Sequence, residues 1–301
     1  MRSSHLASPM PLSEWTERAA RHRLRAEQYT KPARQRRDRG TLHPVEDFLF
    51  QYYPYPLAML EKWHPGFGVA LEVPDGPRSR AADVFSLRLY QQENGIVYLD
   101  SKRLSDKERA RLTWIAELLD STTQRPANFA CHGLHEWAMV YRGTEVRHGE
   151  STPLRLPQAE IDALVESRPI ACSHHDAFRF FAQEARTFNR LQPDLHSRHL
   201  FEQPGCVHAN MDLYKWAAKA MPWIGTELLL DCFELAIELR DLDMRASPYD
   251  LTAWGKEPIC IETQDGRKVY EAEQRRLAAL AEPLRERLNA AIRKIVECCA
   301  C

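Results

Sequence analysis

Hydrophobic positions recur at three- and four-residue intervals through most of this chain, the spacing that lines up side chains on one helical face. A first helix is predicted over residues 13–29, with Ser13 as its N-cap. A second starts at Thr41 or at Pro44, since proline suits a first helical turn, and carries Val45, Phe48, Leu49, Tyr52 and Tyr53. Ser105-Asp106-Lys107-Glu108 has capping-box spacing and opens a helix that reaches about Thr123. Further helices are predicted from Gly133 to Tyr141 and over residues 157–167, 175–188, 208–220, 225–243 and 267–297, the last kinked or broken at Pro283. The pattern changes over residues 64–103. There Gly66, Gly68, Pro74, Gly76 and Pro77 punctuate short β-rich pieces such as Gly95-Ile96-Val97-Tyr98-Leu99, which predicts a loop with a small hairpin. A short extended stretch is expected over 145–156. The fold class that follows is mainly α. A single helical domain spans residues 41–301 with a β-rich insertion near 64–103, and a basic helix and arm occupy residues 1–40.

Composition sharpens this reading in a few places. Hydrophobic content of 44%, charged content of 28% and only 12 glycines in 301 residues suit a soluble helical protein. The net charge of −1 gives the whole chain no attraction to phosphate, so a nucleic-acid surface would have to be local. The basic run through Lys31, Arg34, Arg36, Arg37 and Arg39 is such a stretch, and it reads equally as a solvated helix face. The N-terminus has no apolar secretory segment, and no run approaches the roughly 20 apolar residues of a membrane helix. A cytoplasmic location without a membrane partner is expected, with the eight cysteines as thiols. The tail, Cys298-Cys299-Ala300-Cys301, reads as a frayed terminus rather than a chelating tip.

The chemistry-bearing residues cluster. Cys131-His132-Gly133-Leu134-His135-Glu136, Cys172-Ser173-His174-His175-Asp176 and Cys206-Val207-His208-Ala209-Asn210-Met211-Asp212 each join a thiol, an imidazole and an acid, the side chains that bind transition metals. His135 and Glu136 are adjacent and diverge by about 100° on a helix. Met139 stands where a zinc-protease motif would need histidine. Asp176 is a candidate helix cap, with His174 just before it. His208 and Asp212, at i and i+4, share a face, while Asn210 is an alternative cap. His43-Pro44-Val45-Glu46-Asp47 places an imidazole and two acids at a helix start. Asp231 and Glu234 fall within an apolar stretch, where a functional role and an arginine partner both account for them. The thiols rank behind the imidazoles and acids as ligands, because buried free cysteine is more often a small hydrophobe.

Four long segments carry a resemblance. His43-Pro-Val-Glu-Asp-Phe-Leu-Phe-Gln-Tyr-Tyr53, Gly133-Leu-His-Glu-Trp-Ala-Met-Val-Tyr-Arg142, Gln203-Pro-Gly-Cys-Val-His-Ala-Asn-Met-Asp-Leu-Tyr-Lys-Trp216 and Asp241-Leu-Asp-Met-Arg-Ala-Ser-Pro-Tyr-Asp-Leu251 resemble a bacterial family labelled 3-methyladenine DNA glycosylase. The resemblance implies a hydrolase that excises alkylated purines from DNA without a metal. Asp241 or Asp243 would stabilise the oxocarbenium-like transition state, Tyr214, Trp216 or Trp223 would wall the flipped base, and the basic arm would hold phosphates. The nearest counterpart of a helix-hairpin-helix glycosylase hairpin is Met221-Pro222-Trp223-Ile224-Gly225, with Trp in place of the first glycine.

The residues themselves lead first to a metal-dependent enzyme, an oxidoreductase acting on a small aromatic or heterocyclic molecule. Its expected cofactor is iron, non-haem or held as haem, with zinc as the alternative metal. His135, His174, His208 and Asp212 are the expected metal ligands, Glu46, Glu136 and Asp243 the candidate catalytic acids or bases, and His208 and Trp216 the candidate cofactor contacts. A DNA glycosylase is the second reading, and a non-catalytic binding module the third.

Overall fold

Most helices form where the periodic apolar positions place them, and the sheet forms where glycine and proline interrupt that period. Two depart from this: the helix expected from Thr41 or Pro44 begins only at Phe48, and the one expected over 175–188 is cut short. The structure, a computed structural model, describes residues 8–73, 88–143 and 152–298. Parts of the β-rich stretch and of the 145–156 excursion, and the last three residues of the cysteine tail, lie outside these. The described residues are mainly helical with one small sheet. They divide into two compact units, one of Met1–Ala116, Tyr214–Phe233 and Glu286–Cys301, the other of Glu117–Leu213 and Glu234–Arg285.

The first unit begins with α1 (Leu12–Asp38), which was expected to end near residue 29 but continues through Pro32. Trp15, His22, Ala26, Thr30 and Ala33 form one buried face at helical spacing, so burial holds the segment helical past the proline. Ser13 does not cap it, because the chain enters through Pro11 without a side-chain cap bond. Four arginines of this helix are paired with acids of the same unit: Arg18 with Glu227 (2.5 Å), Arg25 with Asp231 (2.8 Å), Arg34 with Glu61 (2.5 Å) and Arg36 with Glu46 (2.7 Å) and Asp47 (2.6 Å). Residues 12–38 are thus a packed helix with acid partners rather than an arm. Asp231 takes the arginine partner expected for it.

Two short helices follow, α2 (Phe48–Tyr52) and α3 (Leu57–Glu61). The sheet has the order β1 (Ala70–Glu72), β3 (Ile96–Leu99), β2 (Tyr90–Glu93), with both pairings antiparallel. Asn94 and Gly95 turn the expected hairpin, both at positive φ, as a two-residue turn requires. The capping box is formed: the Glu108 amide donates to Ser105 Oγ and the Ser105 amide to the Glu108 carboxylate, at the start of α4 (Asp106–Thr123).

In the second unit α5 (Leu134–Met139) starts from His132 and Gly133, both left-handed. α6 (Gln158–Glu166) follows, then α7 (His175–Phe178) and α8 (Arg198–Phe201). The helix expected over 175–188 stops after one turn. The Ala182 amide donates to Ala138 O at 3.0 Å, and a 3-10 turn occupies Gln183–Phe188. Asp176 does not cap α7, since its carboxylate is paired with Arg198 at 2.5 Å. α9 (Val207–Lys219), α10 (Thr226–Arg245) and α11 (Gln264–Cys298) carry residues of both units, and Pro283 lies exposed within an unbroken α11. Asn210 is not a cap. Its side-chain amide donates to Pro204 O, and its oxygen accepts from Arg285. Among the described residues no helix is long and apolar enough to cross a membrane.

Candidate metal centre

The second unit gathers the three cysteine–histidine–acid segments. α5 supplies His135 and Glu136, the residue before α7 is His174, α9 supplies His208 and Asp212, and α10 supplies Arg240 and Asp243 at i and i+3. The left-handed turn at Gly133 aims α5, and a Cβ there would come within 3.2 Å of Ala246 Cβ. The ring centroids of His135 and His208 lie 4.7 Å apart, edge to face, and those of His208 and His174 lie 5.5 Å apart, stacked.

One atom from each of His135, Glu136, His208 and Asp243 falls within 4.8 Å of all the others. His135 Nε2 is 2.9 Å from Asp243 Oδ1, and His208 Nε2 is 3.8 Å from Asp243 Oδ2. Arg240 holds Asp243 Oδ2 at 2.9 Å and comes within 3.6 Å of Glu136. On its other side the His135 ring meets Cys131 Sγ at 3.3 Å through Nδ1, which fixes its orientation. The Asp243 side chain is fully buried, while His208 and Glu136 keep 13% and 12% of theirs exposed.

Charge is distributed unevenly over these groups. Burial pushes the His208 imidazole down to about 3, which leaves it neutral and ready to ligate. Burial works the same way on His135, but Cys131 and Asp243 together hold it well above the ordinary imidazole range. Burial would raise Asp243, yet His135 and His208 keep its carboxyl well below the usual range. Burial and the neighbouring Asp243 charge push Glu136 up to about 7. The contact between the two cysteines lowers Cys131 and raises Cys172. Burial lifts Cys206 to about 12.

A second group lies beside the first. His174, Asp176 and Asp212 also offer atoms within 4.8 Å of one another. Arg198 and Glu202 belong to the same surroundings, and neither stood out in the sequence. Arg198 follows a polar loop and Glu202 precedes Pro204-Gly205, contexts without the local signal of a His–acid pair.

The expected site residues therefore separate. His135, Glu136, His174, His208, Asp212 and Asp243 come together in the second unit. Glu46 belongs to the first, where it is exposed and held by Arg36. Trp216 is also in the first unit, edge to face with Trp114 at 5.4 Å and under Lys215 at 4.6 Å. Of the two acids singled out by resemblance, Asp241 pairs with Lys256 at 2.5 Å and Arg245 at 3.5 Å. The hairpin-like Met221–Gly225 stretch is packed against residues 64–67 of its own unit. Trp223 is 2% exposed and its carbonyl accepts from Phe67, while the Thr226 amide goes to His64 O. These backbone groups are satisfied within the protein. Compared with family models, curated proteins and solved structures, the chain matches none, so the functional reading rests on its own residues and their geometry.

Proposed function

We propose that the protein is a metal-dependent enzyme, an oxidoreductase whose non-haem iron is held by His135, His208 and Asp243. The observation that carries this is the convergence of two imidazoles and one carboxylate from three helices within 4.8 Å. Two histidines and one carboxylate are a donor set suited to iron(II), and they leave open coordination positions for substrate. Non-haem iron fits better than haem. His208 has His135 on one side and His174 stacked on another, with Asp243 3.8 Å from its Nε2, which leaves little width for a macrocycle normal to that nitrogen. Zinc is the alternative metal, and its chemistry would be hydrolytic.

Glu136, beside this set and poised near neutrality, is the proton carrier. Substrate approaches from the side of His208 and Glu136, the members that keep exposure. A small aromatic or heterocyclic molecule suits a site close to the buried ring of Tyr270, whose titration feels Asp243 and Glu136. The DNA glycosylase reading has less support, because Asp243 is fully buried and Arg18, Arg25, Arg34 and Arg36 of α1 have acidic partners.

Elemental analysis of the purified chain tests the proposal. Iron is expected in the native protein, without a Soret band, and is expected to be lost in His208→Ala and His135→Ala. Glu136→Gln is expected to keep the iron and to lower turnover about 100-fold. Protein that neither contains iron nor takes up iron(II) would overturn the reading.

A further inference from the structure

His174 is not needed by the centre proposed above, yet it is the most enclosed of the three clustered imidazoles, with no exposed surface. Among the described residues neither of its ring nitrogens makes a hydrogen bond. A buried polar group left in that state is costly, and it is rare in folded proteins. Its Nε2 is not aimed at empty space. It lies 3.4 Å from Asp212 Oδ2 and 3.7 Å from Glu202 Oε1, and His174, Asp176 and Asp212 each offer an atom within 4.8 Å of the other two.

These separations are long for hydrogen bonds but ordinary between two ligands of one ion. Metal–ligand bonds of about 2.0–2.2 Å in tetrahedral arrangement place neighbouring donor atoms roughly 3.3–3.6 Å apart. Charge points the same way. Arg198 is buried and contacts all three acids, at 2.5 Å from Asp176, 2.8 Å from Glu202 and 3.7 Å from Asp212. Arg179 reaches only Asp176, at 3.7 Å, from an exposed position. Asp212 and Glu202 are 1% and 2% exposed. Carboxylates this deeply buried are held by positive charge, and a divalent ion would join Arg198 in that role.

We propose that His174, Asp176 and Asp212, with Glu202 beside them, form a second divalent-cation site, so that the protein holds two ions side by side. One imidazole among oxygen donors suits iron(II) or manganese(II). The stacking of His174 on His208 at 5.5 Å puts the two sites next to each other. In such pairs two ions act on one bound substrate from neighbouring positions. The second site uses different side chains from the first, and either can exist without the other.

The test is metal stoichiometry of the full-length chain, titrated with iron(II) without oxygen and with manganese(II) in parallel. The native chain is expected to bind two ions, falling to one in His174→Gln and in the double variant Asp212→Asn/Glu202→Gln, with the remaining ion removed by His135→Gln. Far-UV circular dichroism checks that each variant folds. A native chain that saturates at one ion, lost in both His174→Gln and His135→Gln, would overturn the second site and leave a single shared centre. Two ions retained in His174→Gln would overturn it as well. One ion that survives His135→Gln and disappears in His174→Gln would uphold this site and refute the first. Absence of any bound ion refutes both, and because the native chain is measured first, that result does not depend on variants folding.

Discussion

His64, in the first unit, is 1% exposed and meets the Tyr90 hydroxyl at 3.0 Å through Nδ1. Burial pushes its pKa down to about 4 from an ordinary 6.5. A histidine depressed in the folded state stays neutral there while the unfolded chain takes up a proton. The unfolded state therefore binds more protons between these values, and stability is lost as pH falls from about 6.5 toward 4. The loss attributable to this one residue is up to about 3 kcal/mol. Urea unfolding at pH 7.5 and 4.5 checks it. His64→Gln should unfold with a pH dependence smaller by about that amount, and an unchanged dependence would show that His64 is protonated in the folded state. Arg36 gives a contrast at the same scale. It grips Asp47, whose side chain is 7% exposed, through two nitrogens, and Glu46, 55% exposed, through one. Glu46→Gln should change stability by less than about 0.5 kcal/mol, whereas Asp47→Leu should cost roughly 1–3 kcal/mol by leaving buried polar groups around Arg36 and His43 unpaired. Equal effects of the two in denaturant titrations would contradict this account.

Elements were legible where the signal was local. The capping box at Ser105 specifies its own hydrogen bonds and formed where the spacing placed it. The small hairpin expected within 64–103 formed too, turning at Asn94 and Gly95, the latter expected inside a strand piece. Ser105→Ala should accordingly lower stability by about 1 kcal/mol in thermal unfolding. What the sequence hid was set by distant partners. α1 passes Pro32 because its far end is buried at Thr30 and Ala33, and the one-turn α7 stops because Ala138 takes the Ala182 amide. Periodicity reports neither. The loop at residues 64–67 is a further case. Gly66 has φ +88, and a Cβ on it would come within 3.0–3.2 Å of the Ile224–Gly225 backbone. The two segments meet backbone to backbone, although more than 150 residues separate them in sequence. Gly66→Ala should cost about 1–3 kcal/mol, through left-handed strain and through the contact together. A midpoint in urea equal to that of the native protein would show that this loop can yield.

At the scale of the molecule, a net charge of −1 conceals a dense local gathering of buried charge. Glu136, Glu202, Asp212 and Asp243 lie buried or nearly so in the second unit, and Arg198 and Arg240 are the guanidiniums paired with them. Three segments rich in His and acids were visible in sequence, and so was each imidazole. Their sorting was not. His208 and Asp212 share a face of α9, yet the short distances run from His208 to Asp243 and from Asp212 to His174, on other elements. An i,i+4 spacing fixes which residues share a helix face and is silent about what faces it. The burial of these acids ties metal binding to folding, because ions that bind only the folded chain stabilise it by an amount that grows with ligand concentration over Kd. At 100 times Kd one ion adds about 2.7 kcal/mol. Removal of metal with a chelator should therefore lower the thermal midpoint by several degrees, and added iron(II) should restore it. Calcium should restore much less, because its larger, oxygen-preferring shell suits imidazoles poorly. The same treatment of His135→Gln combined with His174→Gln should leave the midpoint unmoved, since neither donor set would survive. A midpoint insensitive to chelator in the native protein, with metal verified absent, would mean that the buried acids are balanced by protons instead. The midpoint should then rise as pH is lowered toward the range where Glu136 takes up its proton, and that shift would separate the two origins of the balancing charge.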